Sequence, residues 1–141
     1  MKVYLDTNIL SFLLREEPDS ISRDVSAMIM DYSHLLCTST VCVHELIHLV
    51  QIGKLSVGRK GREESPTAIE EWLERLDVEV VPVGIRHLKQ LASLPIQGDH
   101  RDPNDRLIIA QAIADRVPLI SSDRKFSRYK GHGLNFVFNE R

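Results

Sequence analysis

Short apolar runs alternate along the chain with segments in which apolar residues follow helical spacing. The runs are almost wholly apolar, which is typical of buried strands, and they cover residues 3–5, 35–38, 78–83, 118–121 and 134–138. Helical spacing and cap residues predict helices over residues 9–14, 21–29, 41–52, 66–76, 85–94 and 104–115. This alternation predicts an α/β fold whose parallel sheet is covered by helices on both faces. In such sheets reactive groups gather beyond the carboxyl ends of the strands.

Length and composition narrow the class of protein. A chain of 141 residues predicts one domain over residues 1–141. Hydrophobic residues make up 43% and charged residues 27%, which is typical of a globular protein and excludes a disordered or collagen-like chain. No apolar run approaches about 18 residues, so no membrane span is expected. Asp6 comes too early for a secretory signal, and Cys37 and Cys42 lack a CxxC spacing, so we expect a cytoplasmic protein with two buried thiols.

Four acidic residues fall where separate elements could bring them together. Asp6 follows the first predicted strand, and Asp123 follows the fourth by two residues. Glu45 lies in the helix after the second strand, and Asp105 lies in the first turn of the helix before the fourth. Because neighbouring carboxylates repel, a fold tolerates them when a divalent cation neutralises them, and oxygen ligands favour Mg²⁺ or Mn²⁺. The pattern therefore predicts metal-activated water attacking a phosphodiester.

Each acid also has a purely structural interpretation, which for Glu45 is a place at the edge of a helix face. Asp6 could cap the helix that begins at Thr7, and Asp123 could be an ordinary turn residue. Asp102 is placed to cap the next helix, with Pro103 at its first position, and Asp105 would then favour the helix dipole. The shared metal site and these local roles both remain open at this point.

A competing motif overlaps Glu45. His44-Glu45-Leu46-Ile47-His48 fits H-E-x-x-H, in which two histidines bind zinc and the glutamate is the general base of a protease. The extended zinc signature needs Gly at position 51 and His at position 54, and this chain has Gln51 and Lys54. A later glutamate, Glu70 or Glu71, could supply the third ligand. The alternative is that the two histidines are only neighbours on one helix face.

Four segments of the sequence resemble the PIN domain family. They are Leu5-Asp6-Thr7-Asn8, the stretch from Ser39 to Leu46 followed by Gly53-Lys54-Leu55, the block from Leu94-Pro95 through His100 to Ala112, and Pro118-Leu119-Ile120-Ser121-Ser122-Asp123. The order and spacing agree from residue 1 to about residue 130. The closest similarity is to VapC-like toxins, the ribonuclease half of type II toxin–antitoxin modules.

The resemblance implies a three-layer α/β/α sandwich with a central parallel sheet and Mg²⁺- or Mn²⁺-dependent RNA cleavage. It also implies inhibition by a cognate antitoxin and assembly into a homodimer. By position, the metal-binding and catalytic acids would be Asp6, Glu45, Asp105 and Asp123, with Asp102 as a weaker addition. A non-catalytic PIN-like binding module is the remaining alternative.

Other residues receive supporting roles in this hypothesis. Thr7 and Asn8 would orient a ligand water or a carboxylate. RNA would be held by basic residues after Asp123, namely Arg124, Lys125, Arg128 and Lys130, with Tyr129 placed to stack on a base. A second basic cluster lies on a glycine-rich loop at Arg59, Lys60 and Arg62. Candidates for a partner surface, or alternatively for the core, are Phe12, Leu13, Met28 and Trp72.

Overall fold

Five short parallel strands form the central sheet. A computed structural model of the chain describes residues 1–56 and 68–140. Its strands are β1 (Lys2–Leu5), β2 (Leu35–Ser39), β3 (Glu79–Val81), β4 (Leu119–Ser121) and β5 (Phe136–Phe138). They lie in the order β3-β2-β1-β4-β5, and each neighbouring pair is parallel. The predicted basic cluster at Arg59, Lys60 and Arg62 lies outside the described residues.

Helices connect the strands. The α-helices are α1 (Thr7–Leu14), α2 (Arg23–Met30), α3 (Thr40–Gln51), α4 (Ala68–Arg75), α5 (Ile85–Ser93) and α6 (Pro103–Asp115). Two 3₁₀ helices, which the sequence analysis did not predict, span Pro18–Ser20 and Arg124–His132. Across residues 1–56 and 68–140, no helix combines the length and the apolar character needed to cross a membrane.

The strand order places the helices on both faces of the sheet. The chain steps from β1 to β2 to β3 in one direction, and then returns past β1 to β4 and β5. Because crossovers between parallel strands are right-handed, the two directions of travel put their helices on opposite faces. The predicted three-layer α/β/α architecture is thereby confirmed. The order reverses between β1 and β4, and ligands of such sheets bind at the carboxyl ends of the strands flanking that point.

The core lies between the sheet and its helices. Val3 and Leu5 on β1 are fully buried, as are Ile108 and Ile109 on α6. Cys37 and Cys42 are buried free thiols, as expected. Of the four apolar candidates for a partner surface, Phe12 lies in the core, and Leu13, Met28 and Trp72 pack half-buried against it.

Candidate active site

Asp6 lies directly after β1 and is almost completely buried, with 4% of its surface exposed. Its Oδ1 accepts a hydrogen bond from the Thr7 backbone N–H at 2.8 Å, so it caps α1. Its Oδ2 accepts from the Ser121 hydroxyl at 2.7 Å and from the Asn8 side-chain amide at 3.3 Å. Capping and membership of an acidic site are therefore compatible for this residue.

Asn8 and Ser121 tie the end of β1 to the end of β4. The Asn8 amide donates to Ser121 Oγ at 3.2 Å, and Asn8 Oδ1 accepts from the Ser122 N–H at 3.1 Å. Ser121 Oγ also accepts from the Asp123 N–H at 3.1 Å. Since these bonds bridge two adjacent strands, they fix the position of Asp6 relative to the turn that carries Asp123.

Glu45 reaches the same edge of the sheet from α3. This helix begins directly after β2, where the Ser39 side chain accepts from the Val41 N–H and caps it. The Thr7 hydroxyl donates to Glu45 Oε1 at 3.2 Å. Thr7 thus links the first turn of α1, capped by Asp6, to the acid on α3.

Asp105 and Asp123 lie beside a buried histidine. His100 Nε2 lies within hydrogen-bond distance of Asp105 Oδ2 at 3.2 Å, and His100 Nδ1 lies 2.7 Å from the Tyr129 hydroxyl oxygen. One ligand atom from each of His100, Asp105 and Asp123 lies within 4.8 Å of the others. Asp123 also caps the second 3₁₀ helix through the Lys125 N–H.

The electrostatics of this edge favour proton or cation binding. Burial, reinforced by the charges of Asp105 and Asp123, raises the pKa of Asp6 to about 6. Burial and the charge of Asp6 raise the pKa of Glu45 to about 7. The pKa of Asp105 is also raised, mainly by burial and by the charge of Asp102. Within residues 1–56 and 68–140, no Lys or Arg forms an ion pair with Asp6, Glu45, Asp105 or Asp123. The cluster therefore lacks a positive counter-charge from the described side chains.

Asp102 lies at the margin of this cluster. Its side chain is exposed, and Oδ1 accepts from the Asn104 N–H at 2.9 Å and from the Asp105 N–H at 3.2 Å. It caps α6, with Pro103 at the first helical position. The contacts of Asp102 thus match its helix-capping interpretation, and its negative charge adds to the field at Asp105.

Within residues 1–56 and 68–140, the structure groups no third ligand with the two histidines of the H-E-x-x-H motif. His44 and His48 are exposed on α3. Among the residues that the structure describes, the grouping of three potential ligands contains His100 rather than His44 or His48, and neither Glu70 nor Glu71 completes a zinc set with them.

The structure adds residues that the sequence analysis did not assign and corrects one that it did. His100 contacts Asp105, five residues later, whereas Ser121 contacts Asp6, 115 residues earlier. The expectation that Tyr129 stacks on a base is wrong, because Tyr129 is fully buried and its hydroxyl bonds His100. Tyr129 lies three residues after Phe126, which is also buried. This spacing is the one sequence signal for the burial of Tyr129, since residues three apart align on a 3₁₀ helix.

The chain matches the model of a known protein family. A PIN domain family model matches residues 3–132, and the chain belongs to the PIN domain family. No curated protein sequence was found to match.

Solved structures share the fold at low identity. A complex of VapBC2 from Rickettsia felis with a promoter DNA fragment matches with a TM-score of 0.71 and 21% identity, covering 99% of this chain and 100% of that one. VapBC-1 from nontypeable Haemophilus influenzae matches with a TM-score of 0.67 and 22% identity over 98% of each chain. DNA-bound VapBC from Salmonella typhimurium matches with a TM-score of 0.68 and 19% identity over 98% of each chain.

Proposed function

We propose that this protein is a metal-dependent endoribonuclease and the VapC-like toxin of a toxin–antitoxin module. The observation that carries the proposal is the buried carboxylate of Asp6 at the switch point of the sheet, where the charges of Asp105 and Asp123 act on it. Like charges held close together destabilise the folded state unless a bound ligand of opposite charge compensates them. Membership of the PIN domain family and the likeness to VapBC structures support the same conclusion.

The donor set fits a hard divalent cation. Asp6 and Asp105 would hold Mg²⁺ or Mn²⁺, with Glu45 and Asp123 completing the acidic cluster, and carboxylate oxygens are the ligands these ions prefer. When bound, such an ion supplies a water of lowered pKa and stabilises negative charge on the attacked phosphate.

The chain's own residues would orient this set. Ser121 and Asn8 hold Asp6 Oδ2, while Thr7 holds both Asp6 Oδ1, through its backbone, and Glu45, through its hydroxyl. His100 fixes one oxygen of Asp105 and leaves the other free. Restraint of carboxylates by such outer hydrogen bonds favours a single ligand geometry.

The partners follow from the same proposal. The substrate is RNA, and a cognate antitoxin covers the acidic cluster; toxin–antitoxin complexes among the similar structures support this partner. We further propose that the chain is one domain, works in the cytoplasm where RNA substrates are, and forms a homodimer.

Replacing both motif histidines separates the nuclease from a zinc protease. We expect His44→Ala/His48→Ala to keep Mg²⁺- or Mn²⁺-dependent cleavage of a mixed RNA pool within about tenfold, a barrier change of ~1.4 kcal/mol. The physical reason is that both side chains are exposed on α3, outside the acidic cluster. Any loss should come from altered helix stability and appear as a lower melting temperature.

Elemental analysis of the same preparations provides the control. Loss of a zinc ligand releases the metal, because each ligand carries a large share of its affinity. One zinc per chain in the parent and none in the double variant would overturn the nuclease proposal.

A further inference from the structure

The second 3₁₀ helix sorts its side chains into three rows. With 3.0 residues per turn, side chains at positions i and i+3 align. Phe126 and Tyr129 form a buried row behind the acidic cluster. Lys125 and Arg128 form a second row, and the third row, Arg124, Ser127 and Lys130, is exposed throughout. The four basic residues predicted to bind RNA therefore divide into two pairs with different surroundings.

Asp99 forms ion pairs with both Lys125 and Arg128. Its carboxylate lies 2.7 Å from Arg128 Nη1 and 3.6 Å from Lys125 Nζ. The hydrogen bond from Arg128, followed by the charge of Lys125, lowers the pKa of Asp99 to about 2. Arg128 also donates to the Gln97 carbonyl at 3.3 Å. This row thus ties the 3₁₀ helix to the loop that carries His100, and Asp99 offsets one of its two positive charges.

The Arg124/Lys130 pair instead lies over aromatic rings of β5. The Arg124 guanidinium is 5.1 Å from the centre of the Phe138 ring, and the Lys130 ammonium is 5.9 Å from that of Phe136. These groups, with Ser127 and Glu140, line an open groove of about 340 Å³. Among the residues that the structure describes, no carboxylate forms an ion pair with Arg124 or Lys130. With Glu140 counted, the groove keeps a net positive charge.

The groove starts at the edge of the sheet that carries the acids. Phe138 is paired with Ser121 in the register of β4 and β5, and Ser121 donates to Asp6. Phe136 lies two residues earlier on the same face of β5, and the two rings are 6.1 Å apart. The rings and the two cations therefore form a continuous track leading away from the acidic cluster.

We propose that this track, formed by Arg124, Ser127, Lys130, Phe136 and Phe138, binds the single-stranded RNA that flanks the cleaved bond. The inference rests on the proposed nuclease function. The two cations contact backbone phosphates, and the Phe138 ring gives an exposed base a surface on which to stack. Such contacts accept any sequence, because every base has a π-face and every nucleotide a phosphate.

Binding of a short fluorescein-labelled single-stranded RNA to uncleaving Asp6→Asn protein tests the track. In that background Arg124→Ala/Lys130→Ala should weaken binding by about tenfold and reduce the slope of log affinity against log salt by about 1.4, the value for two single-strand phosphate contacts. Phe138→Leu should weaken binding several-fold at every salt concentration, because stacking is not screened.

Lys54→Ala/Lys89→Ala removes the same charge from exposed sites on other elements and should leave the affinity within about twofold. An equal loss in this control, or a larger loss in Lys125→Ala/Arg128→Ala, would overturn the track. If Asp6→Asn protein does not bind RNA and the parent does not cleave it, the nuclease proposal itself fails. If the parent cleaves RNA and the track variants bind it normally, the track alone is wrong. Melting temperatures of all variants identify losses that come from unfolding.

Discussion

Asp6→Asn is expected to abolish metal-dependent RNA cleavage, with a loss of more than about 100-fold. The substitution exchanges a charged metal ligand for a neutral amide at the most buried acid of the cluster. Asn is also a preferred N-cap, so its side-chain oxygen keeps the bond from the Thr7 N–H and α1 should still form. Cleavage of a mixed RNA pool with Mg²⁺ and Mn²⁺, measured beside circular dichroism, tests this loss in a folded protein.

Asp19→Asn is the matched control for this variant. Asp19 is exposed in the first 3₁₀ helix and is not one of the acids assigned to the cluster, so the same chemical change should leave cleavage at about the parent rate. The assignment of Asp6 is wrong if Asp6→Asn cleaves as fast as Asp19→Asn.

The metal-free protein is expected to lose stability as the pH rises from about 4 to about 7. The folded state raises the pKa of Asp6 to about 6 and that of Glu45 to about 7, so it binds these protons more tightly than the unfolded state does. Below the ordinary carboxyl pKa, Asp6 and Glu45 are protonated in both states, and the free-energy penalty of burying their charges is absent. Above the folded-state pKa values the penalty is complete. The shift at fully buried Asp6 corresponds to about 3 kcal/mol, as an upper bound.

Asp6→Asn removes this penalty. In EDTA we therefore expect the variant to be more stable than the parent at pH 8, by up to about 3 kcal/mol, and equal to it near pH 4. Saturating Mn²⁺ should reverse the order at pH 8, because only the parent gains the binding free energy. Urea denaturation at the two pH values gives these free energies of unfolding. If the parent were more stable than Asp6→Asn protein in EDTA at pH 8, the electrostatic destabilisation assigned to the acidic cluster would be wrong.

The acidic cluster could be predicted because its members follow directly from the order of elements. Asp6 and Asp123 come just after strands, and parallel strands end at a common edge, so their proximity depends on the strand order alone. Glu45 lies in the middle of α3, which follows β2, and Asp105 lies in the first turn of α6, which precedes β4. The helix cap formed by Asp102 could be predicted for a similar reason. Its carboxylate accepts from backbone N–H groups only two and three residues later in the chain.

The remaining features depend on contacts between distant segments. The bond of His100 to Tyr129 spans 29 residues, as does that of Asp99 to Arg128, and neither has a local signature. The second 3₁₀ helix is not predicted by helical spacing of 3.6 residues, because its buried residues repeat with a period of 3.0. Strand β3 ends at Val81, before the predicted limit, because Pro82 has no N–H to donate to the sheet. The H-E-x-x-H spacing does place His44 and His48 on one helix, α3. The spacing carries no information about a third zinc ligand.

RNA cleavage by the purified full chain, first in EDTA and then with metal added back, tests the central claim most directly. We expect no cleavage in EDTA, recovery with Mg²⁺ or Mn²⁺, and no recovery in Asp6→Asn protein run in parallel. Cleavage that persists in EDTA, or that Zn²⁺ alone restores and that depends on His44 and His48, would contradict the account.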